Sequence, residues 1–290
     1  EKMPPAMLTQ RLPWSGTPIS RAGLGLSRIG SVQSPISPSE ATRLIQVAFD
    51  LGINFFDTAN VYGQGDSERI LASALKSKRS EIVIATKAGL LLSSKARLAS
   101  YFKPVLRPLL RLRKSPAPQA NTPNVASGSV RSQDFSPDHI LRNIEASLRR
   151  LRTDYIDLFM LHSPPTSGID LHGIGEALQS AKRAGKIRAI GVSSRSLEDL
   201  TSWLSWPGVD AIQVGLNTYG ASSPGVLNTA SAKGISIIGR QILASGGGRL
   251  DAGRQPGQAL RSALQVANVV LFGTTNVTHL RENAAAITGA

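Results

Sequence analysis

GINFFDTANVYGQGDSE, residues 52–68, runs an apolar strand into a polar turn and delivers a carboxylate, Asp57, and a phenol, Tyr62, where the two meet. Lys87 closes the next apolar run (IVIATK, 82–87), and His162 closes the one after it (IDLFMLH, 156–162). Four ionisable or proton-sharing groups at or just beyond the ends of consecutive strands predict a reaction centre at one rim of a sheet.

Working outward, short β-branched runs alternate with amphipathic stretches along the chain. The strand candidates are ISRAGLGL (19–26), INFFDTA (53–59), EIVIATK (81–87), YIDLFMLH (155–162), IRAIGVS (187–193), AIQVGL (211–216), ISIIG (235–239) and NVVLFGT (268–274). Near-continuous apolar strands of this kind are buried on both faces, the mark of a parallel sheet sheathed in helices. Ser37-Pro38 and Ser136-Pro137 each read as a capping hydroxyl followed by proline in the first helical turn. Gly52, Gly185 and Gly234 fall between a helical run and a strand, where a left-handed cap is wanted. Eight such units predict a (β/α)₈ TIM barrel of class α/β, as a single domain over residues 1–290, with an insert after the third strand. Barrels of this type carry their chemistry at the carboxyl ends of the strands, where Asp57, Lys87 and His162 stand. The alternative for the same pattern is an open doubly wound sheet. Before the first barrel strand, MLTQRLPWSGTPIS reads as a hairpin closing the amino end.

Composition narrows the classes. The chain has no cysteine, which removes disulfides, thiolate catalysis and cysteine-bound metal. No apolar run reaches the ~18 residues that suggest a membrane span. The start, EKMPPAMLTQ, lacks the charged-then-apolar order of a secretory signal, so a cytoplasmic location is expected. The net charge of +14 invites a nucleic-acid reading, but half of it sits in residues 88–135, where eight basic side chains face one acid, Asp134. A localised basic insert without a recognisable reading module predicts no nucleic-acid partner.

The chemistry of the four residues is specific as a set. Singly, Asp57 reads as a cap, Tyr62 as core, Lys87 as a solvated charge and His162 as a loop anchor. Together, a phenol holds its proton at neutral pH and can donate it if a cation stabilises the phenolate. Lys87 supplies that cation, Asp57 holds the ammonium, and His162 can orient a substrate oxygen. This fits proton donation to an oxygen gaining charge while hydride attacks the carbon.

On these residues the chain resembles the aldo-keto reductase superfamily, over most of its length apart from residues 88–135. The five-residue step from Asp57 to Tyr62 is the most specific part of the likeness. The resemblance implies that Asp57, Tyr62, Lys87 and His162 are the catalytic tetrad, with Tyr62 as general acid in carbonyl reduction, a small carbonyl substrate and no metal. The run GKIRAIGVSSRSLEDL resembles the family stretch that binds the nicotinamide carboxamide. There Ser193 matches the family's serine and Ser194 replaces its usual asparagine, leaving fewer hydrogen bonds to offer. Gln213 matches a glutamine on the same carboxamide. Arg240 falls where many members stack a tyrosine on the nicotinamide, and a guanidinium plane can stack too; the alternative is a solvated strand-end arginine. The tail VVLFGTTNVTHLRENAAA resembles the adenosine and phosphate segment. It implies an anion site from Gly273, Thr274, Thr275 and Asn276 at a helix N-terminus, and adenine contact by Asn283. Gly273 and His279 stand where NADPH-specific members have a lysine and an arginine. The implied cofactor is therefore NADPH, with NADH also credible. Residues 246–248 (GGG) read either as a strap over the pyrophosphate or as a plain loop.

The insert, 88–135, is amphipathic over 98–114 and broken by Pro104 and Pro108. It leaves the barrel on the catalytic face. It reads first as a lid over the substrate pocket. A membrane-surface contact through 95–114 is the less favoured reading, and a protein partner or phosphorylated substrate another. Two other functions remain open beside the reductase: a low-turnover nicotinamide-binding regulatory barrel, and a Schiff-base lyase using Lys87.

Overall fold

The computed structural model describes residues 6–31, 34–93, 130–194, 196–216, 224–243 and 255–288. Its strands in chain order are β1 (Thr9–Gln10), β2 (Ile19–Ser20), β3 (Ala22–Gly25), β4 (Phe55–Asp57), β5 (Val83–Ala88), β6 (Leu90–Leu92), β7 (Val130–Gln133), β8 (Ile156–His162), β9 (Ile187–Ser193), β10 (Ala211–Gly215), β11 (Ser236–Arg240) and β12 (Val269–Phe272). Eight of them close a parallel barrel in the order β3-β4-β5-β8-β9-β10-β11-β12, with β12 pairing back onto β3. Each of the eight expected runs contributes one barrel strand. The first run splits at Arg21: Ile19–Ser20 pairs antiparallel with β1 as the expected hairpin, and Ala22–Gly25 enters the barrel.

Helices clothe the barrel: α1 (Pro38–Asp50), α2 (Asp66–Ala74), α3 (Pro137–Leu151), α4 (Leu171–Arg183), α5 (Leu200–Leu204), α6 (Pro224–Ala232), α7 (Pro256–Ala263) and α8 (Val277–Ala285). Ser37 caps α1 as expected, accepting from Glu40 N at 3.1 Å while Glu40 accepts from Ser37 N at 2.7 Å. Ser136 precedes α3, but its hydroxyl makes no cap bond. The Asp134 carboxylate in front of the helix engages Ser136 instead, accepting its N–H at 2.9 Å. Gly52, Gly185 and Gly234 take positive φ (+85°, +74° and +70°) at the expected helix ends.

Strand alternation sorts the core into two layers. Phe55, Val83, Ala85, Leu158, Met160, Ala189, Ala211, Ile238, Val269 and Leu271 point inward and fill the barrel. Their neighbours, such as Phe56, Ile84, Phe159, Ile190 and Ile212, point outward into the larger layer beneath the helices. Cutting fully buried Phe56 or Phe159 back to alanine would cost about 3–5 kcal/mol.

The amino end is closed and clamped. Trp14 packs against the inner layer, and its Nε1 donates to Ser236 Oγ at 3.0 Å. Nearby, buried Asp157 accepts from Arg79 Nη2 at 2.7 Å and Arg188 Nη1 at 3.0 Å, and both guanidinium groups stack on the Tyr155 ring, 3.8 and 3.7 Å from its centroid. After β5, β6 and β7 form a two-stranded antiparallel stem at the two ends of the insert. The amphipathic stretch 98–114 lies outside the described residues, as does 246–248. Among the described residues, no helix is long and apolar enough to cross a membrane.

Candidate active site

The alternation that fills the barrel also builds its rim. Two residues beyond inward Phe55 comes Asp57; two beyond Ala85, Lys87; two beyond Met160, His162; two beyond Ala211, Gln213. Each inward apolar series ends in a polar group. Strand register levels them, with Ser193 paired to both His162 and Gln213.

Asp57 and Lys87 form a buried ion pair, their side chains 8% and 1% exposed. Lys87 Nζ lies 2.7 Å from each Asp57 oxygen and 2.9 Å from Thr58 O, so all three N–H donors are used. Asp57 Oδ1 also accepts from Gln213 Nε2 at 2.7 Å, and Gln213 Oε1 accepts from Ser193 Oγ at 2.8 Å. A continuous chain of bonds therefore joins Ser193 to Lys87. The link from Gln213 to Asp57 was absent from the sequence reading; the in-phase position of Gln213 on its strand is the signal that could have exposed it.

Tyr62 begins the 3₁₀ turn Tyr62–Gly65 that follows β4. Its ring is nearly buried, 5.2 Å from Lys87 Nζ and edge-on to His162 with centroids 5.8 Å apart. The four expected groups thus come together. Leu90 and Leu92 of the insert's stem pack with Tyr62, Ala59 and Val61. Gly63 shows why the turn is so tight: φ is +55°, and a Cβ there would stand 2.5 Å from the carbonyl carbon of Gly30. An alanine would be strained and obstructed at once.

Behind the rim, Glu68 is fully buried, accepting from Thr86 Oγ1 at 2.8 Å and paired with Arg150 Nε. The sequence reading passed over this pair.

The residues tied by resemblance to a cofactor lie around the same rim. Ser193 and Gln213 are buried with a hydroxyl and an amide side by side. That donor set fits a primary carboxamide, which offers both an acceptor oxygen and donor hydrogens. The Ser194 hydroxyl is turned to Asp199 Oδ2 (3.4 Å) and Ser196 N (3.3 Å), while Ser194 O accepts from Arg240 Nη2. Arg240 is half-buried and bonded to Gln241 as well, so it is a fixed plane at the rim and not a solvated arginine. Further round, Thr274 is buried, Thr275 partly exposed and Gly273 exposed. Asn276 caps α8, accepting from Thr278 N and His279 N, which commits its side-chain oxygen to the helix. The His279 side chain is exposed on the first turn and Asn283 buried on the second.

Comparison with known proteins agrees with this geometry. The profile described as "Aldo/keto reductase family" matches residues 21–263. L-galactose dehydrogenase of Arabidopsis thaliana is 29% identical over 242 residues, 80% of this chain and 64% of that protein. D-threo-aldose 1-dehydrogenase of a Pseudomonas species is 29% identical over 270 residues, 88% of this chain and 78% of that protein. The alignment thus spans a little under two thirds of the first relative. Among solved structures, the holo form of an aldo-keto reductase from Bacillus halodurans shares the fold with a TM-score of 0.73 at 22% identity, covering 98% of this chain and 92% of that one. Barrel topology, the polar rim and the matched profile converge on one assignment: the chain belongs to the aldo/keto reductase family.

Proposed function

We propose that this single-domain barrel transfers hydride between a nicotinamide cofactor and a small aldehyde or ketone, or the corresponding alcohol, with Tyr62 as general acid in reduction. The observation that carries the reading is the Asp57–Lys87 ion pair, held 5.2 Å from the Tyr62 ring centroid with His162 at its edge. The ammonium stabilises the negative charge left on the phenol when its proton goes to the substrate oxygen, and low local polarity strengthens that effect. His162 orients the carbonyl, and Asp57 holds Lys87 in place.

NADPH, or NADH, would supply the hydride. Ser193 and Gln213 would hold its carboxamide, with Ser194 and Arg240 beside the ring. Gly273, Thr274, Thr275 and the Asn276 N–H would receive phosphate at the start of α8, with His279 and Asn283 toward the adenosine. A Schiff-base role for Lys87 fits poorly, because an amine that donates three hydrogen bonds has no lone pair for attack. The relatives named as dehydrogenases of L-galactose and D-threo-aldoses make sugars part of the substrate search, in the oxidative direction.

Fluorescence titration with NADPH and NADH, followed by carbonyl and aldose panels, tests the reading. Binding of either cofactor with Tyr62-dependent turnover is expected. Failure of both cofactors to bind would overturn it.

A further inference from the structure

Asn60 stands between Asp57 and Tyr62 with no part in the chemistry above. Its N–H donates to Lys87 O at 3.1 Å, and its Nδ2 donates to Asn143 Oδ1 at 2.8 Å. Among the described residues, its Oδ1 is buried with no partner, so the bond to Asn143 is what holds the side chain. Asn143, on α3, carries the chain onward: its Nδ2 is 2.8 Å from both His139 O and His139 Nε2.

That double contact fixes a protonation state. A carbonyl oxygen only accepts, so the group facing His139 O is the amide NH₂. His139 Nε2 faces the same NH₂ and must therefore present a lone pair. The ring proton belongs on Nδ1, which lies 3.4 Å from Asp134 Oδ2. Asp134 N in turn donates to Gly89 O at 2.8 Å, two residues past Lys87. Hydrogen bonds from the Lys87 main chain through Asn60 and Asn143 to His139, and from Asp134 back to Gly89, are joined into a circuit by the 3.4 Å contact between His139 and Asp134.

The circuit has one polarity. A second proton on His139 would set N–H against NH₂ at 2.8 Å. Turning Asn143 over would relieve that contact but press its oxygen against His139 O. Among the described residues, the charged group paired with the imidazole is Asp134, in the turn before α3, on which Arg142, one turn along the helix, also acts. The Asp134 carboxyl is held below the usual carboxylate range: burial pushes it up, and is outweighed by hydrogen bonds from Ser136 and the charges of His139 and Arg142. Asp134 is therefore held in its ionised form.

We propose that Asn60 is a positioning residue for Lys87 and Tyr62, held through Asn143 by neutral His139, and that protonating His139 releases it. The proposal rests on the reading of Lys87 and Tyr62 as catalytic groups. Release shifts the segment between Asp57 and Tyr62 and lowers turnover while leaving cofactor affinity unchanged, since none of the proposed cofactor residues belongs to the circuit.

The test uses the full chain and whichever substrate the panels identify, with kcat and cofactor Kd measured across roughly pH 5–8, where an imidazole changes charge. His139→Leu and Asn143→Leu should each lower kcat at least ~5-fold at every pH without moving Kd, the size expected of a small misplacement of reacting groups. His139→Gln offers an acceptor to Asn143 that cannot titrate. It should restore kcat and abolish the part of the acid-side decline that the wild type shows. Unchanged kcat in both leucine variants, or an acid decline that persists in His139→Gln, would overturn the proposal. If the leucine variants fail to fold, the pH profile of His139→Gln alone decides. Tyr62→Phe is the control. Full turnover there removes the catalytic reading itself, whereas loss there with no effect at His139 removes only the positioning role.

Discussion

Removing Lys87 should do two separable things, and their sizes follow from burial. In Lys87→Met, Asp57 keeps one donor, Gln213 Nε2, in a site where its side chain is 8% exposed. A buried carboxylate that loses its cation costs about 3–5 kcal/mol. Taking up a proton instead caps that cost: at pH 7, for a group that ionises near ~3.9 in the unfolded chain, protonation costs about 4 kcal/mol. The defect should therefore be about 4 kcal/mol at pH 7 and fade by ~1.4 kcal/mol per pH unit toward pH 4. The sign is that of a carboxyl whose folded form prefers the proton: its stability is present in acid and is lost as pH rises. Asp57→Asn strands the ammonium and should cost a similar amount at neutral pH, fading in alkali. The double variant Asp57→Asn/Lys87→Met has no stranded charge and should recover most of the loss, because neutral replacement of a buried pair is often tolerated. All three should lose turnover. Thermal unfolding at pH 5 and pH 8 is the assay, at about 2–4 °C per kcal/mol for chains of ~150–250 residues and somewhat less here. A double variant as unstable as the singles, or a Lys87→Met defect equal at both pH values, would refute the reasoning.

Tyr62→Phe should bind cofactor normally and lose at least ~10²-fold in turnover, since it lacks only the proton donor; wild-type turnover would remove Tyr62 from the mechanism. Gly273→Lys should raise preference for NADPH over NADH about tenfold by giving the 2′-phosphate a charge-assisted partner. The position has room, the nearest atom to a Cβ there being Gly25 O at 3.5 Å, so an unchanged Kd ratio would place the 2′-phosphate elsewhere. Deleting residues 94–129 while joining the stem should spare the barrel and cofactor binding but raise KM or shift substrate preference. Unaltered kinetics combined with loss of binding to anionic vesicles would favour the membrane reading instead. Asp134→Asn should destabilise the fold fully above about pH 4 and progressively less below it, because a depressed carboxyl contributes stability above its unfolded value and loses it as pH falls through its lower folded value; a defect that does not shrink in acid would contradict this.

The sequence exposed what strand periodicity alone can expose. Asp57, Lys87 and His162 stand at strand ends in phase with inward apolar residues, so the barrel and the gathered groups were both legible. The bond from Gln213 to Asp57 was not, because β10 and β4 become neighbours across the rim only when the barrel closes, at a sequence separation of 156 residues. Asn60, Asn143 and His139 escaped for a related reason: a loop amide meeting a helix face leaves no periodic trace. Ser136 misled because serine before proline is the usual signature of a cap, and the signature does not show that Asp134 competes for the same residue.

The two ends of β8 show how such a chain can change. At one end Asp157 is locked by two arginines on a shared tyrosine; five residues later His162 stands at the reactive rim. Variation at the rim alters chemistry while the clamp keeps the strand in register, so new activities can be sampled without risking the fold. A laboratory library confined to inward rim positions and the loops beyond them would search function on a frame whose foundations are set at the opposite end.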